Sequence, residues 1–169
     1  MKNIILIGMP GCGKSTVGVI LAKSLGYSFV DTDLLISEKA SKPLQKIIDV
    51  NGLEAFLKLE EEVGATLDCY GYVIATGGSM VMSEKAMENL KSLGTVVYID
   101  VTLEEIEKRL VNFKTRGIVR KQGETIQDIF NARSVLYNKY ADVVVTNDHD
   151  AILENTVHKI VEALSDEKE

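Results

Sequence analysis

A chain of 169 residues, 46% of them apolar, can bury the core of one α/β domain without disulfides or a structural metal. Its net charge of −6 excludes a general attraction to nucleic acid or anionic membrane, so any anion has to be held by a local cluster of cations. Two cysteines far apart, no signal-like start after Met1 and no apolar run of spanning length lead to the expectation of a cytoplasmic monomer with no disulfide, membrane or nucleic-acid partner.

The first apolar run, Asn3–Ile7, reads as a strand, and Gly-Met-Pro-Gly-Cys-Gly-Lys-Ser-Thr follows it directly over residues 8–16. Strand, glycine-rich loop and helix in this order are the context a phosphate-binding P-loop requires. Its glycines let the backbone turn N–H groups around phosphate oxygens. Lys14 then reaches the β- and γ-phosphates, Ser15 ligates Mg2+, and the helix N-terminus faces the anion. Gly11, Cys12, Gly13, Lys14, Ser15 and Thr16 are the candidate nucleotide contacts. Cys12 sits at the helix N-terminus, where oxidation of a thiol would block phosphate entry, although its small size alone suits the loop. The helix itself, from about Lys14 to Leu25, turns Val17, Ile20, Leu21 and Leu25 inward and stops at Gly26.

The second strand, Ser28–Val30, leads into Phe29-Val-Asp-Thr-Asp33, two carboxylates beside the P-loop at the carboxyl edge of the sheet, where open α/β sheets bind ligands. Alternation predicts that both point the same way. Asp31 is read as holding a water on Mg2+, and Asp33 as accepting a proton or hydrogen bond from an acceptor hydroxyl. Asp33 also stands where a residue would cap the helix begun by Leu34-Leu-Ile36. Residues 34–69 are mostly helical in pattern and form a candidate acceptor-binding insert.

Tyr72–Ala75 and Thr95–Ile99 supply the third and fourth strands. Thr102-Leu-Glu-Glu105 has capping-box spacing and opens a helix with Leu103, Ile106 and Leu110 on one stripe and the pairs Glu104/Lys108 and Glu105/Arg109 outside. A polar, basic stretch over 112–124, marked by Gly117 and Gly123, is a candidate mobile lid. A helix is expected from Thr125 to Tyr140, a fifth strand over Asp142–Val145, and a last helix, opened by Asp150, that turns Leu153, Val157, Ile160, Val161 and Leu164 inward. Five strands in βα alternation predict an α/β fold, a five-stranded parallel sheet flanked by helices, in one P-loop domain over 1–169.

Within the basic cluster, Arg116 is the candidate for contact with the transferred phosphoryl group, whose developing charge needs cationic donors once water is excluded. Arg120 and Lys121 read as solvated. Phe113 alone interleaves the cluster with an aromatic ring, which argues against a nucleic-acid groove. Asp100 ends an apolar strand as a Walker-B aspartate does, but no second acid follows it. Cys69, His149 and His158 lack the spacing of a zinc site.

The P-loop, Phe29-Val-Asp-Thr-Asp33, Gly52 with Phe56 and Glu60, Thr76-Gly-Gly78, Thr115-Arg116, Arg133 with Leu136-Tyr137, and Ala141-Asp142 occur in an order and spacing that resembles the shikimate kinase family, of the nucleoside-monophosphate-kinase branch of P-loop proteins, over nearly the whole chain. The resemblance implies ATP-dependent phosphorylation, with Mg2+, of a hydroxyl on a small metabolite, shikimate or an analogue. It implies that Arg116 closes over the phosphates and Arg109 stacks on adenine, for which a surface pair with Glu105 is the alternative. Arg133 would hold the acceptor's acid group, with a surface ion pair as its alternative. Asp33 would orient the attacking hydroxyl, Gly77 and Gly78 would offer backbone N–H groups, and Glu60 would orient a substrate-contacting residue. Phe56 is either pocket wall or core.

The chain departs from the family pattern mainly on the acceptor side. Leu57 replaces an arginine that grips the acceptor carboxylate, leaving Lys58 as a substitute only by reaching back around the helix. Ser79 replaces the third glycine of a Gly-Gly-Gly turn, and the lid reads Arg116-Gly-Ile-Val119. Two enzymes fit: a divergent shikimate kinase, or a related kinase of another hydroxylated metabolite. A nucleotide-dependent switch or regulatory binding module is the third reading, since Asp49-Val-Asn-Gly52 matches a bare Asp-x-x-Gly. A guanine-reading Asn-Lys-x-Asp is absent from the sequence.

Overall fold

The computed structural model describes residues 2–111, 118–147 and 153–166. Its elements run β1 (Asn3–Ile7), α1 (Lys14–Leu25), β2 (Ser28–Asp31), α2 (Thr32–Ala40), α3 (Leu44–Asn51), α4 (Leu53–Thr66), β3 (Tyr72–Ala75), a 3-10 turn (Met80–Met82), α5 (Glu84–Leu93), β4 (Gly94–Asp100), α6 (Leu103–Val111), α7 (Ile126–Tyr140), β5 (Val143–Thr146) and α8 (Leu153–Asp166). The expected five strands are all present, with ends shifted by a residue or so.

All strand pairs are parallel, in the order β2-β3-β1-β4-β5. β1 is buried along its whole length, as a central strand covered by helices on both faces must be. From β1 the chain crosses to β2 at one edge, and from β3 it crosses back over β1 to β4. The carboxyl ends of β1 and β3 therefore send their loops to opposite sides. That reversal opens the crevice in which doubly wound sheets hold ligands. The P-loop leaves β1 and the Thr76–Gly78 turn leaves β3, so both stand at this crevice.

Two apolar clusters support it. The larger, with Ile5, Leu6, Ile74, Val97 and Tyr98 from the sheet and Leu21, Met87 and Ile160 from the helices, is the main core. A smaller one gathers Ile36, Ile47, Phe56 and Val63 from the α2–α4 insert together with Val119. Val119 thus ties the segment before α7 to the insert across the crevice.

The junction of β2 and α2 differs from the sequence expectation. The strand ends at Asp31 and the helix starts at Thr32 with no intervening loop, so strand alternation does not extend to Asp33. Asp31, not Asp33, is the N-cap: its carboxylate accepts the Asp33 N–H at 2.9 Å. Helix geometry dictates this, because a cap must reach the N–H two or three residues ahead. Asp33 is left in the first turn, where its charge suits the helix dipole. The Thr102 cap is present but long, with the Glu105 N–H at 3.4 Å, and Asp150 lies outside the described residues.

Candidate active site

The P-loop owes its path to glycines at positive φ, with Gly8 at 148°, Gly11 at 81° and Gly13 at 99°. A Cβ on Gly8 would lie 2.7 Å from the Ile99 carbonyl oxygen and 2.9 Å from Cys12 Sγ, so both conformation and space demand glycine there. Lys14 is only 7% exposed, and its ammonium donates to the carbonyls of Gly8 at 2.7 Å and Met9 at 2.9 Å. Ser15 Oγ donates to Asp31 Oδ2 at 2.6 Å. One carboxylate therefore joins the P-loop hydroxyl to the start of α2.

A cavity of about 390 Å3 opens in front of this loop, lined on one side by Gly11, Gly13, Lys14, Ser15 and Asp31. Asp33, Phe56, Glu60, Gly77, Arg133, Ile118 and Val119 also line it, as does Gly78, which lies against Pro10 of the P-loop. These residues come from separate elements, and the sheet topology alone brings them together. Cys12, Thr16 and Arg109 were expected at the nucleotide and do not line the cavity. The Cys12 side chain is fully buried, and its N–H donates to the Met9 carbonyl at 3.1 Å. Arg109 makes the pair with Glu105 that was its alternative, Nε to Oε1 at 2.8 Å, while Nη1 donates to the Gly11 carbonyl of the P-loop at 3.3 Å. Arg116 lies outside the described residues, as does His149.

On the far side, Arg133 is not the surface arginine that was its alternative. It is 5% exposed, Nη2 donates to the Val119 carbonyl at 2.6 Å, and Nη1 is buried without a partner. Glu60 is 2% exposed; Oε2 accepts from Ser79 Oγ at 2.6 Å and Oε1 has no partner. Burial is the main cause that raises its pKa from 4.5 to about 7, with Asp33 adding to it and Ser79, Arg133 and Lys14 opposing. Phe56 is both core and wall.

The Gly77 N–H, expected to face an acceptor, donates instead to Thr32 Oγ1 at 3.1 Å. What Gly77 supplies is space. A Cβ there would lie 2.5 Å from Glu60 Oε1 and 2.8 Å from Asp33 Oδ1. The Gly78 carbonyl accepts from Tyr137 OH at 2.6 Å, and Tyr137 stacks on Tyr98 with ring centroids 5.1 Å apart. The reading of single residues missed Thr32 and the Ser79–Glu60 bond, since nothing local marks either. Tyr137 was visible only as part of a motif.

Leu57 does not line the main cavity. It is half-buried against the insert's apolar cluster and lines a smaller hollow of about 210 Å3 with Glu54, Lys58 and Met82; Glu60 and Ser79 border both spaces. Lys58 does not reach back: it is exposed and pairs with Glu54 at 3.1 Å. Asp49, the acid of the switch-like motif, sits on the exposed face of α3 bonded to Gln45. Asp100 accepts from Tyr98 OH and lies away from the cavity lining. Among the described residues no group of three or more His, Cys, Asp and Glu is arranged to hold a metal, and no helix is long and apolar enough to cross a membrane.

A P-loop and an acid-and-arginine wall facing one another at the switch point of a 2-3-1-4-5 sheet define a P-loop kinase of the small-molecule type. The sequence model of shikimate kinase matches residues 10–165. A shikimate kinase of Clostridium botulinum is 35% identical over 166 residues, 97% of this chain and 96% of that protein. The structure of shikimate kinase from Acinetobacter baumannii in complex with shikimate is similar at a TM-score of 0.91 and 29% identity, covering 99% of this chain and 95% of that one. That of Aquifex aeolicus shikimate kinase matches at a TM-score of 0.82 and 32% identity, covering 98% of each chain. The chain belongs to the shikimate kinase family, and it is a small-molecule kinase.

Proposed function

We propose that this enzyme transfers the γ-phosphoryl group of ATP to a hydroxyl of shikimate. The observation that carries the reading is the single cavity in which Lys14 and Ser15 face the buried, half-partnered guanidinium of Arg133. A carboxylate on the acceptor would give Arg133 Nη1 the charged hydrogen bond it lacks, and such bonds contribute roughly 1.5–3 kcal/mol. Asp33 positions the acceptor hydroxyl and takes up its proton as the oxygen attacks. Lys14, with Arg116 of the lid, neutralises charge developing on the phosphoryl oxygens. Gly11, Gly13 and the α1 N-terminus cradle the phosphates, with Cys12 and Thr16 supporting the loop and Arg109 bracing it. Phe56, Ile118 and Val119 wall the transfer from water, which limits hydrolysis.

The donor set also fits Mg2+, which prefers one or two protein oxygens alongside substrate phosphates. Ser15 Oγ and Asp31 Oδ2, 2.6 Å apart, would hold it, Asp31 through water, and the ion would lower the charge on the phosphates. Residues 34–69 act as the acceptor-binding insert and 112–124 as the lid of a single kinase domain. Ile118 and Val119 on the cavity edge support that lid. The enzyme works as a cytoplasmic monomer on small molecules, without nucleic acid or membrane.

An ADP-release assay coupled to NADH oxidation tests the reading. ADP release is expected to depend on shikimate at micromolar to millimolar concentration; a rate unchanged by shikimate would overturn it.

A further inference from the structure

Glu60 on α4 and Arg133 on α7 face the same cavity, and each keeps one buried polar atom without a partner, Oε1 and Nη1. Buried polar groups are nearly always hydrogen-bonded, so each of these atoms points to a ligand. Ser79 holds the other Glu60 oxygen at 2.6 Å, which fixes the carboxyl plane and aims Oε1 over Gly77. There it converges with Asp33 Oδ1, since a Cβ on Gly77 would meet both within 3 Å. Glu60 Oε1 has no hydrogen-bond partner; Arg133 and Lys14 act on the carboxyl only through space, and Lys58 is turned away onto Glu54.

In the kinase reading a carboxylate on Arg133 and a hydroxyl on Asp33 account for two of the three charged groups, and Glu60 still requires a donor. A cationic donor suits it better than a neutral one, because a buried carboxylate is ionised most readily beside an opposite charge. We propose that the pocket also takes a hydroxylated amino acid, with its carboxylate on Arg133, its ammonium on Glu60 Oε1 and its hydroxyl on Asp33. The inference rests on ATP-dependent phosphoryl transfer at this site, and not on shikimate being an acceptor. The acceptor hydroxyl oxygen bonds to the γ-phosphorus of ATP as the bond from that phosphorus to the β,γ-bridging oxygen breaks. ADP leaves with that electron pair, the hydroxyl proton passes through Asp33 to solvent, and the product is an O-phospho amino acid.

The groups facing Glu60 are Asp33 from α2, Lys14 from α1, Arg133 from α7 and Ser79 from the turn after β3; Glu54, Lys58 and Glu61 flank it on α4. With its carboxyl pushed up to about 7, the KM for an ammonium-bearing acceptor falls as pH rises from 6 to 8.

Steady-state assays with ATP and serine, threonine, homoserine, 4-hydroxybutyrate or shikimate, on wild type and Glu60→Gln, test the proposal. At least one amino acid is expected to yield its phospho ester. Homoserine and 4-hydroxybutyrate differ only in the ammonium, and homoserine is expected to have at least a tenfold higher kcat/KM, an arm that needs no variant. Glu60→Gln should raise the KM of the amino acid at least tenfold more than that of shikimate, and should remove the pH dependence of the amino acid's KM. Shikimate turnover with no amino acid turned over, or equal effects of Glu60→Gln on both, would overturn the proposal and leave the shikimate reading standing. Amino acid turnover without shikimate turnover would support it and overturn that reading. Silence with every acceptor would overturn both.

Discussion

On the phosphate wall of the cavity, Lys14 Nζ is held by the Gly8 and Met9 carbonyls and Ser15 is held by Asp31, whereas on the acceptor wall Glu60 Oε1 and Arg133 Nη1 are buried without partners. The P-loop has its polar groups satisfied by its own carbonyls and by Asp31 at the end of β2, so it is built to stand before any phosphate arrives. The acceptor wall of the proposed reaction is drawn from α2, α4, the turn after β3 and α7, and leaves two buried polar atoms without partners. An unmet buried polar atom costs about 1–3 kcal/mol. An acceptor that bonds both atoms would remove that penalty on binding, and in the proposed reaction the wall would select its acceptor by what it lacks.

The largest break in this comparison is expected from Lys14→Ala, which should lower kcat with any acceptor by about 10³-fold, in the range found when a cationic or oxyanion-type donor is lost. Thermal unfolding checks that the fold survives. Asp33→Asn should leave the KM for ATP within about threefold while reducing kcat by about 10²-fold or more, the scale of general-base catalysis; an unchanged kcat removes Asp33 from the chemistry. Arg133→Met should act on one wall only, raising the acceptor KM by about 10–100-fold, as one charged hydrogen bond implies, with the KM for ATP nearly constant.

A further effect is on stability rather than turnover. A carboxyl whose folded pKa, about 7, lies above its value of 4.5 favours the fold fully below about pH 4.5 and loses that contribution as pH rises through 7. Between pH 4.5 and 8, wild type should therefore lose on the order of 3 kcal/mol relative to Glu60→Gln, read as the difference between two urea-unfolding curves. A difference independent of pH would place a solvated Glu60 on the acceptor wall.

The phosphate wall was legible in the sequence because its parts adjoin: Gly8, Gly11, Gly13 and Lys14 carry their geometry within a few residues, and the strand before them is an unbroken apolar run. The same holds for the Glu105–Arg109 pair on one helix turn. The acceptor wall was legible only as a list of motif residues. Tyr137 meets Gly78 across 59 positions and Ser79 meets Glu60 across 19, and no hydrophobic period reports such contacts. The direct passage from β2 into α2 moved the cap from Asp33 to Asp31 for a related reason, since a missing loop leaves no turn residue to read. Leu57 shows the same limit in reverse: alignment to a motif named its position, but only packing put it in the neighbouring hollow.

Whether the phosphoryl group passes directly from one wall to the other can be read by phosphorus NMR of the enzyme with ATP, Mg2+ and shikimate. One phosphate monoester is expected for each ADP formed, with inorganic phosphate a minor product. ADP accompanied mainly by inorganic phosphate, or ATP left intact, would contradict it.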